Sequence, residues 1–140
     1  MLVAKRMKHA DILVVDPDPD MVDVITAVLE GEGYAVRSAS NGEEALTACL
    51  RAVPAVVLMD LQLPVMNGWI CARWLRARYD NTLSLVIMTT ARYAEEHRAQ
   101  TTADGVLTKP FALDQLVRVL AHYVEPAESR SSRRRMSART

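Results

Sequence analysis

Three short runs constrain the fold of this chain more than anything else in it. "ILVV" (12–15), "AVVLM" (55–59) and "SLVIM" (84–88) are almost wholly apolar and strand-sized. A strand with one wet face alternates apolar and polar side chains. An unbroken apolar run therefore implies cover on both faces, as for a central strand of a parallel sheet. "YAVRSA" (34–39) alternates and "GVLT" (105–108) is short and mixed, which suits edge strands.

Helical spacing fills the gaps. Met21, Val24, Ile25 and Val28 recur at i, i+3, i+4 and i+7, as do Leu46, Cys49, Leu50 and Val53, and Leu113, Leu116, Val117 and Leu120. Each set predicts a helix with one buried stripe. Ser40 with Glu43 reads as a capping box opening the second of them. Residues 66–79 predict a further helix with Ile70, Cys71, Trp74 and Leu75 facing inward and Trp69 off that stripe. Residues 92–103 predict a weakly amphipathic one. Strict alternation of strand and helix specifies an α/β fold: a doubly wound, flavodoxin-like, five-stranded parallel sheet with right-handed crossovers and helices on both faces. Three buried and two edge strands fit the order 2-1-3-4-5, and ligands in such sheets bind beyond the carboxyl ends of the strands.

A chain of 140 residues, half of them apolar, accommodates one domain, expected over 10–125, with an extension at 1–9. No apolar run is long enough to span a membrane, and "MLVAKRMKHA" is no secretory signal, so a cytoplasmic protein without a membrane partner is expected. Cys49 and Cys71 lie in no cluster of metal-spaced His and Cys, which favours buried reduced thiols over a disulfide or metal site. His9, His97 and His122 are likewise scattered.

The zero net charge hides an asymmetry. Five of the 17 basic residues are arginines within "SRSSRRRMSART" (129–140), which leaves 12 basic against 17 acidic residues, net −5, elsewhere. The Arg- and Ser-rich end, 126–140, reads as a disordered tail in preference to a nucleic-acid arm. The acidic body argues against a nucleic-acid partner for the domain itself.

Polar residues gather at the expected strand ends. Asp16 ends the first strand and Asp60 the third; Thr90 follows the fourth and Lys109 the fifth. Two carboxylates about 4 Å apart repel by roughly 4 kcal/mol at an effective dielectric near 20. An all-oxygen site of this kind calls for a hard cation such as Mg²⁺. Mg²⁺ beside a nucleophilic carboxylate, with Lys and Thr to hold further oxygens, is equipment for phosphoryl transfer. Asp18 precedes Pro19, a favoured first helical residue, so an N-cap role is preferred to a metal-ligand role; Asp20 is first-turn charge.

These segments resemble a known family. "VVD" at the end of the first strand, "MDLQLPVMNG" around Asp60, "TTA" at 89–91 and "TKPF" at 108–111 look like the receiver domain of two-component response regulators, over about residues 10–124. The resemblance implies that Asp60 accepts a phosphoryl group from a histidine kinase or phosphotransfer protein, Thr90 binds a phosphoryl oxygen, and Lys109 pairs with Asp60 or the phosphoryl group. It implies Mg²⁺ held by Asp16, Asp60 and the backbone carbonyl of Gln62. Pro64 and Gly68 would shape the loop after Asp60, and Pro110 corresponds to a proline that often follows a cis peptide.

Two positions depart from the family pattern. Pro17 stands where a second acid is usual, which deletes a metal ligand and implies weak Mg²⁺ binding. Val106 stands three residues before Lys109, where an aromatic ring is common. The expectation is a single-domain response regulator that is not an enzyme beyond assisting its own phosphoryl transfer. It would signal through contacts with a downstream protein, and a homodimer is allowed. A phosphorylation-independent pseudo-receiver is the alternative that Pro17 and Val106 favour. "DPD" after a strand also resembles the DxD of haloacid-dehalogenase-like phosphatases, which need a cap and further acidic motifs.

Overall fold

The computed structural model describes residues 10–96 and 103–124. Five parallel strands, β1 (Asp11–Val15), β2 (Ala35–Ala39), β3 (Val56–Asp60), β4 (Ser84–Thr90) and β5 (Gly105–Lys109), lie in the order β2-β1-β3-β4-β5. Helices α1 (Pro19–Gly31), α2 (Gly42–Arg51), α3 (Gly68–Tyr79), α4 (Ala91–Glu96) and α5 (Leu113–Tyr123) connect and follow them. The doubly wound sheet expected from the apolar runs is the one found.

The central strands alternate between two cores, which is why their sequences do not alternate. Leu13, Val15, Val57, Met59, Leu85 and Ile87 pack with Ala45 and Cys49 of α2 and Cys71, Ala72 and Leu75 of α3. Ile12, Val14, Val56, Leu58, Val86 and Met88 pack on the other face with Ile25 and Leu29 of α1 and Leu116 and Leu120 of α5. Burying such side chains contributes roughly 1.5–3 kcal/mol each. Both cysteines are free and buried, as expected; burial pushes the Cys49 thiol up to about 11 and the Cys71 thiol up to about 12.

Helix phase differs from the sequence reading. Val24, Leu50, Ile70, Trp74 and Leu113 are exposed, and Val53, also exposed, lies beyond the end of α2 at Arg51. Each helical residue turns about 100°, so a stripe misplaced by one residue moves a side chain from core to rim. The small residues Ala45 and Ala72 are fully buried in the core on these helices, and periodicity of large side chains does not register them. The predicted Ser40/Glu43 capping box opening α2 is replaced by a cap on Asn41 with Glu44 reaching back past it. Asn41, not Ser40, is the N-cap: its Oδ1 accepts from Glu44 N at 2.8 Å, and Glu44, not Glu43, reaches back to Ser40 N at 2.9 Å. Gly42 then occupies the first helical position, where an added Cβ would stand 3.1 Å from Met66 Cβ. Close packing there selects the register.

Of the helix expected over 92–103, residues 91–96 are helical and 97–102 lie outside the described residues, as do His9, His97, the extension 1–9 and the tail 126–140.

Candidate phosphoryl-acceptor site

The parallel register brings the strand ends to one edge. Val15 pairs with Met59, Asp60 with Met88, and Thr90 with Lys109. Asp60, Thr90 and Lys109 are the last residues of their strands, and Asp16 directly follows β1, its N–H bonded to Ala39 O at 3.1 Å. Asp16 is 2% exposed and Asp60 9%.

Each carboxylate is held at both oxygens. Asp16 Oδ1 accepts from Asp18 N at 2.9 Å and Asp60 Oδ1 from Gln62 N at 2.8 Å, two local turns of the kind Asp forms readily. The remaining oxygens share one cation: Lys109 Nζ donates to Asp60 Oδ2 at 2.8 Å and to Asp16 Oδ2 at 3.1 Å. Burial alone would lower the pKa of Lys109. The hydrogen bond and charge of Asp60, then those of Asp16, outweigh burial and raise it, so the ammonium stays charged. The Lys109–Pro110 peptide is cis.

Lys109 thus contacts both Asp16 and Asp60, and Gln62 joins Asp60 through its backbone N–H. Thr90 is placed differently. It lines a cleft with Asp18, Lys109 and Phe111, while its Oγ1 accepts from Tyr93 N at 3.2 Å and closes the first turn of α4. Asp18 is the N-cap of α1, with Oδ1 accepting from Asp20 N at 3.0 Å and Pro19 at the first helical position, as the sequence predicts. Pro17 is exposed beside the pair and contributes no polar side chain. Val106 is 44% exposed on the edge strand β5.

The donor set suits a hard, largely hydrated cation. Among the described residues each carboxylate oxygen of Asp16 and Asp60 accepts one hydrogen bond, which leaves lone pairs for a cation. Mg²⁺ is commonly bound through one or two carboxylates with waters and phosphate oxygens completing the shell. Among the described residues no group of three or more His, Cys, Asp or Glu is arranged to hold a metal.

The profile of the response regulator receiver domain matches residues 12–121. The chain belongs to the receiver domain family of two-component signalling. This receiver domain is 38% identical over 124 residues to the DNA-binding response regulator MtrA of Mycolicibacterium smegmatis, covering 84% of this chain and 54% of MtrA. It therefore spans about half the length of the MtrA relatives it matches. It is 35% identical over 122 residues to an uncharacterized 14.6 kDa protein of Leptolyngbya boryana, covering 85% of this chain and 93% of that one. Among solved structures, the chemotaxis response regulator CheY4 of Vibrio cholerae superposes with a TM-score of 0.73 at 29% identity, over 81% of this chain and 98% of CheY4. The receiver domain of the histidine kinase PA1611 of Pseudomonas aeruginosa, with magnesium in its active-site cleft, superposes with a TM-score of 0.74 at 29% identity, over 82% of this chain and 97% of that chain. No described helix of this receiver is long and apolar enough to cross a membrane.

Sequence reasoning missed two tertiary features, one beside Thr90 and one at the opposite, amino-terminal edge of β4 and β5. Trp69 Nε1 donates to the Tyr93 hydroxyl at 3.0 Å, joining α3 to α4. Asp104 pairs with Arg76 at 2.7 Å and accepts from Leu85 N at 2.8 Å, fixing the start of β5 to β4 and α3. Their partners are 24, 28 and 19 positions away, beyond any local pattern.

Proposed function

We propose that Asp60 is the phosphoacceptor of a receiver that signals through protein contacts. The observation that carries this reading is the Asp60 carboxylate at a strand end, held by Lys109 Nζ and Gln62 N–H at 2.8 Å each and flanked by Asp16. Both bonds orient the carboxylate before a donor arrives, so little reorganisation remains for the transfer. An Asp60 oxygen attacks the phosphorus of a phosphohistidine on a histidine kinase or phosphotransfer protein. The P–N bond breaks, the imidazole keeps the electron pair, and an acyl phosphate forms on Asp60. Lys109 then faces the new negative charge, and the Thr90 hydroxyl donates to a phosphoryl oxygen.

Asp16, Asp60 and the Gln62 carbonyl would hold Mg²⁺, whose contribution when bound is to neutralise charge on the transferring oxygens. With Pro17 in place of an acid this binding is weak. Incubation with acetyl phosphate and Mg²⁺ followed by intact-mass measurement tests the reading: one added phosphoryl group per chain supports it, and none overturns it.

A second reading rests on Pro17. An exposed ring without donors at the edge of the carboxylate pair favours a pseudo-receiver whose surface binds partners regardless of phosphorylation. Partner affinity that is identical for wild type and Asp60→Asn, with and without phosphodonor, supports it.

A further inference from the structure

We infer that Trp69 and Tyr93 are positioning residues for Thr90, and that through them the state of Asp60 reaches the start of α3. The second half rests on the phosphoacceptor reading; the first does not. Thr90 Oγ1 accepts from Tyr93 N at 3.2 Å. The Tyr93 hydroxyl accepts from Trp69 Nε1 at 3.0 Å, and the two rings lie at 17° with centroids 6.3 Å apart. Trp69 follows Gly68, whose N–H bonds Leu61 O at 3.3 Å, and Leu61 is the neighbour of Asp60. The path from Thr90 through Tyr93, Trp69 and Gly68 thus returns to the residue beside the acceptor.

A threonine hydroxyl has one proton to give and lone pairs with which to accept. Accepting from Tyr93 N–H leaves that proton for a phosphoryl oxygen but ties the oxygen to α4. A Thr90 drawn to a phosphoryl group on Asp60 either carries the first turn of α4 with it or breaks from it. Both change how the Tyr93 ring meets Trp69. Over Ala91–Glu96 no residue of α4 is fully buried, and Tyr93 is partly buried against the core. At β5, the usual place for an aromatic reporter, Val106 has no ring to move. The Trp69–Tyr93 pair directs the response toward α3.

The chain has two tryptophans, so Trp74→Phe leaves Trp69 as the sole indole. Its emission is followed while acetyl phosphate and Mg²⁺ are added, with intact mass measured on the same sample. Emission should change in step with the mass, and Tyr93→Phe should reduce that change at equal labelling. Full labelling with unchanged Trp69 emission overturns the relay. A second arm needs no phosphorylation, because coupling between two positions is reciprocal. In the unmodified protein, Trp69→Phe and Tyr93→Phe should each shift the Thr90 methyl resonance, whereas Trp74→Phe should not. An unmoved Thr90 methyl overturns the positioning role. Absence of any mass gain overturns the phosphoacceptor reading and the relay with it, while a Thr90 shift in that same protein would still support positioning.

Discussion

Lys109 Nζ lies 2.8 Å from Asp60 Oδ2 and reaches Asp16 with the same ammonium. One cation between two nearly buried carboxylates leaves a site of net charge −1, held together by the residue it would otherwise need a metal to supply. Lys109→Met strands both carboxylates. Because the lysine side chain is 25% exposed, the expected loss is about 1–3 kcal/mol, below that of a fully buried pair. The folded pKa of Lys109 is raised above its ordinary 10.5. Its stabilisation is therefore complete below that value and lost as pH rises through the folded one. Unfolding of both proteins between pH 7 and about 11.5 should show a gap that narrows only at the alkaline end. A gap independent of pH would contradict the ion-pair account.

Restoring an acid at position 17 should strengthen metal binding. Pro17→Asp adds a carboxylate beside Asp16 and Asp60, while Asp18 remains the cap of α1 through its bond to Asp20 N. Even outer-shell partners change metal affinity about 10–100-fold, so a direct ligand should tighten Mg²⁺ at least about tenfold, read by titration. Equal affinity in wild type and variant would mean that Asp18 leaves its cap to ligate.

Gly68 should resist any side chain. An added Cβ would stand 2.5 Å from Leu61 O and 2.7 Å from Leu61 Cα, backbone that cannot swing aside. Gly68→Ala should cost about 2–3 kcal/mol, measured by chemical denaturation, and displace the amide resonances of Leu61 and Gln62. Wild-type stability in this variant would refute the close approach.

Val65 offers the opposite change. It has φ 70°, with Met66 N bonded to Pro64 O at 2.7 Å, a γ-turn centred on an exposed β-branched residue. Such strain costs about 1–3 kcal/mol, against about 0.5–1 for the freedom a glycine gains on unfolding. Val65→Gly should therefore stabilise by about 1 kcal/mol, visible as a higher thermal midpoint. A lower midpoint would show that Val65 packs usefully.

The sheet was readable because central strands must be apolar on both sides, and Ile12–Val15, Val56–Met59 and Leu85–Met88 are. Asp16, Asp60 and Lys109 were readable because strand ends in such a sheet converge, and the structure brings them within hydrogen-bond distance. Helix phase was less accessible: Ile70 and Trp74 are as apolar as the buried Cys71 and Leu75, so periodicity could not tell inner from outer. The Trp69–Tyr93 bond and the Arg76–Asp104 pair depend on tertiary placement. Val65 carries no local mark of positive φ, since valine is a poor choice for it.

The central claim is that Asp60 receives the phosphoryl group, and the most direct measurement compares wild type with Asp60→Asn by intact mass after acetyl phosphate and Mg²⁺. The asparagine keeps the size of the side chain and loses the nucleophilic oxygen. Wild type should gain one phosphoryl group and Asp60→Asn none. Equal labelling of the two proteins would place the acceptor elsewhere and contradict the account.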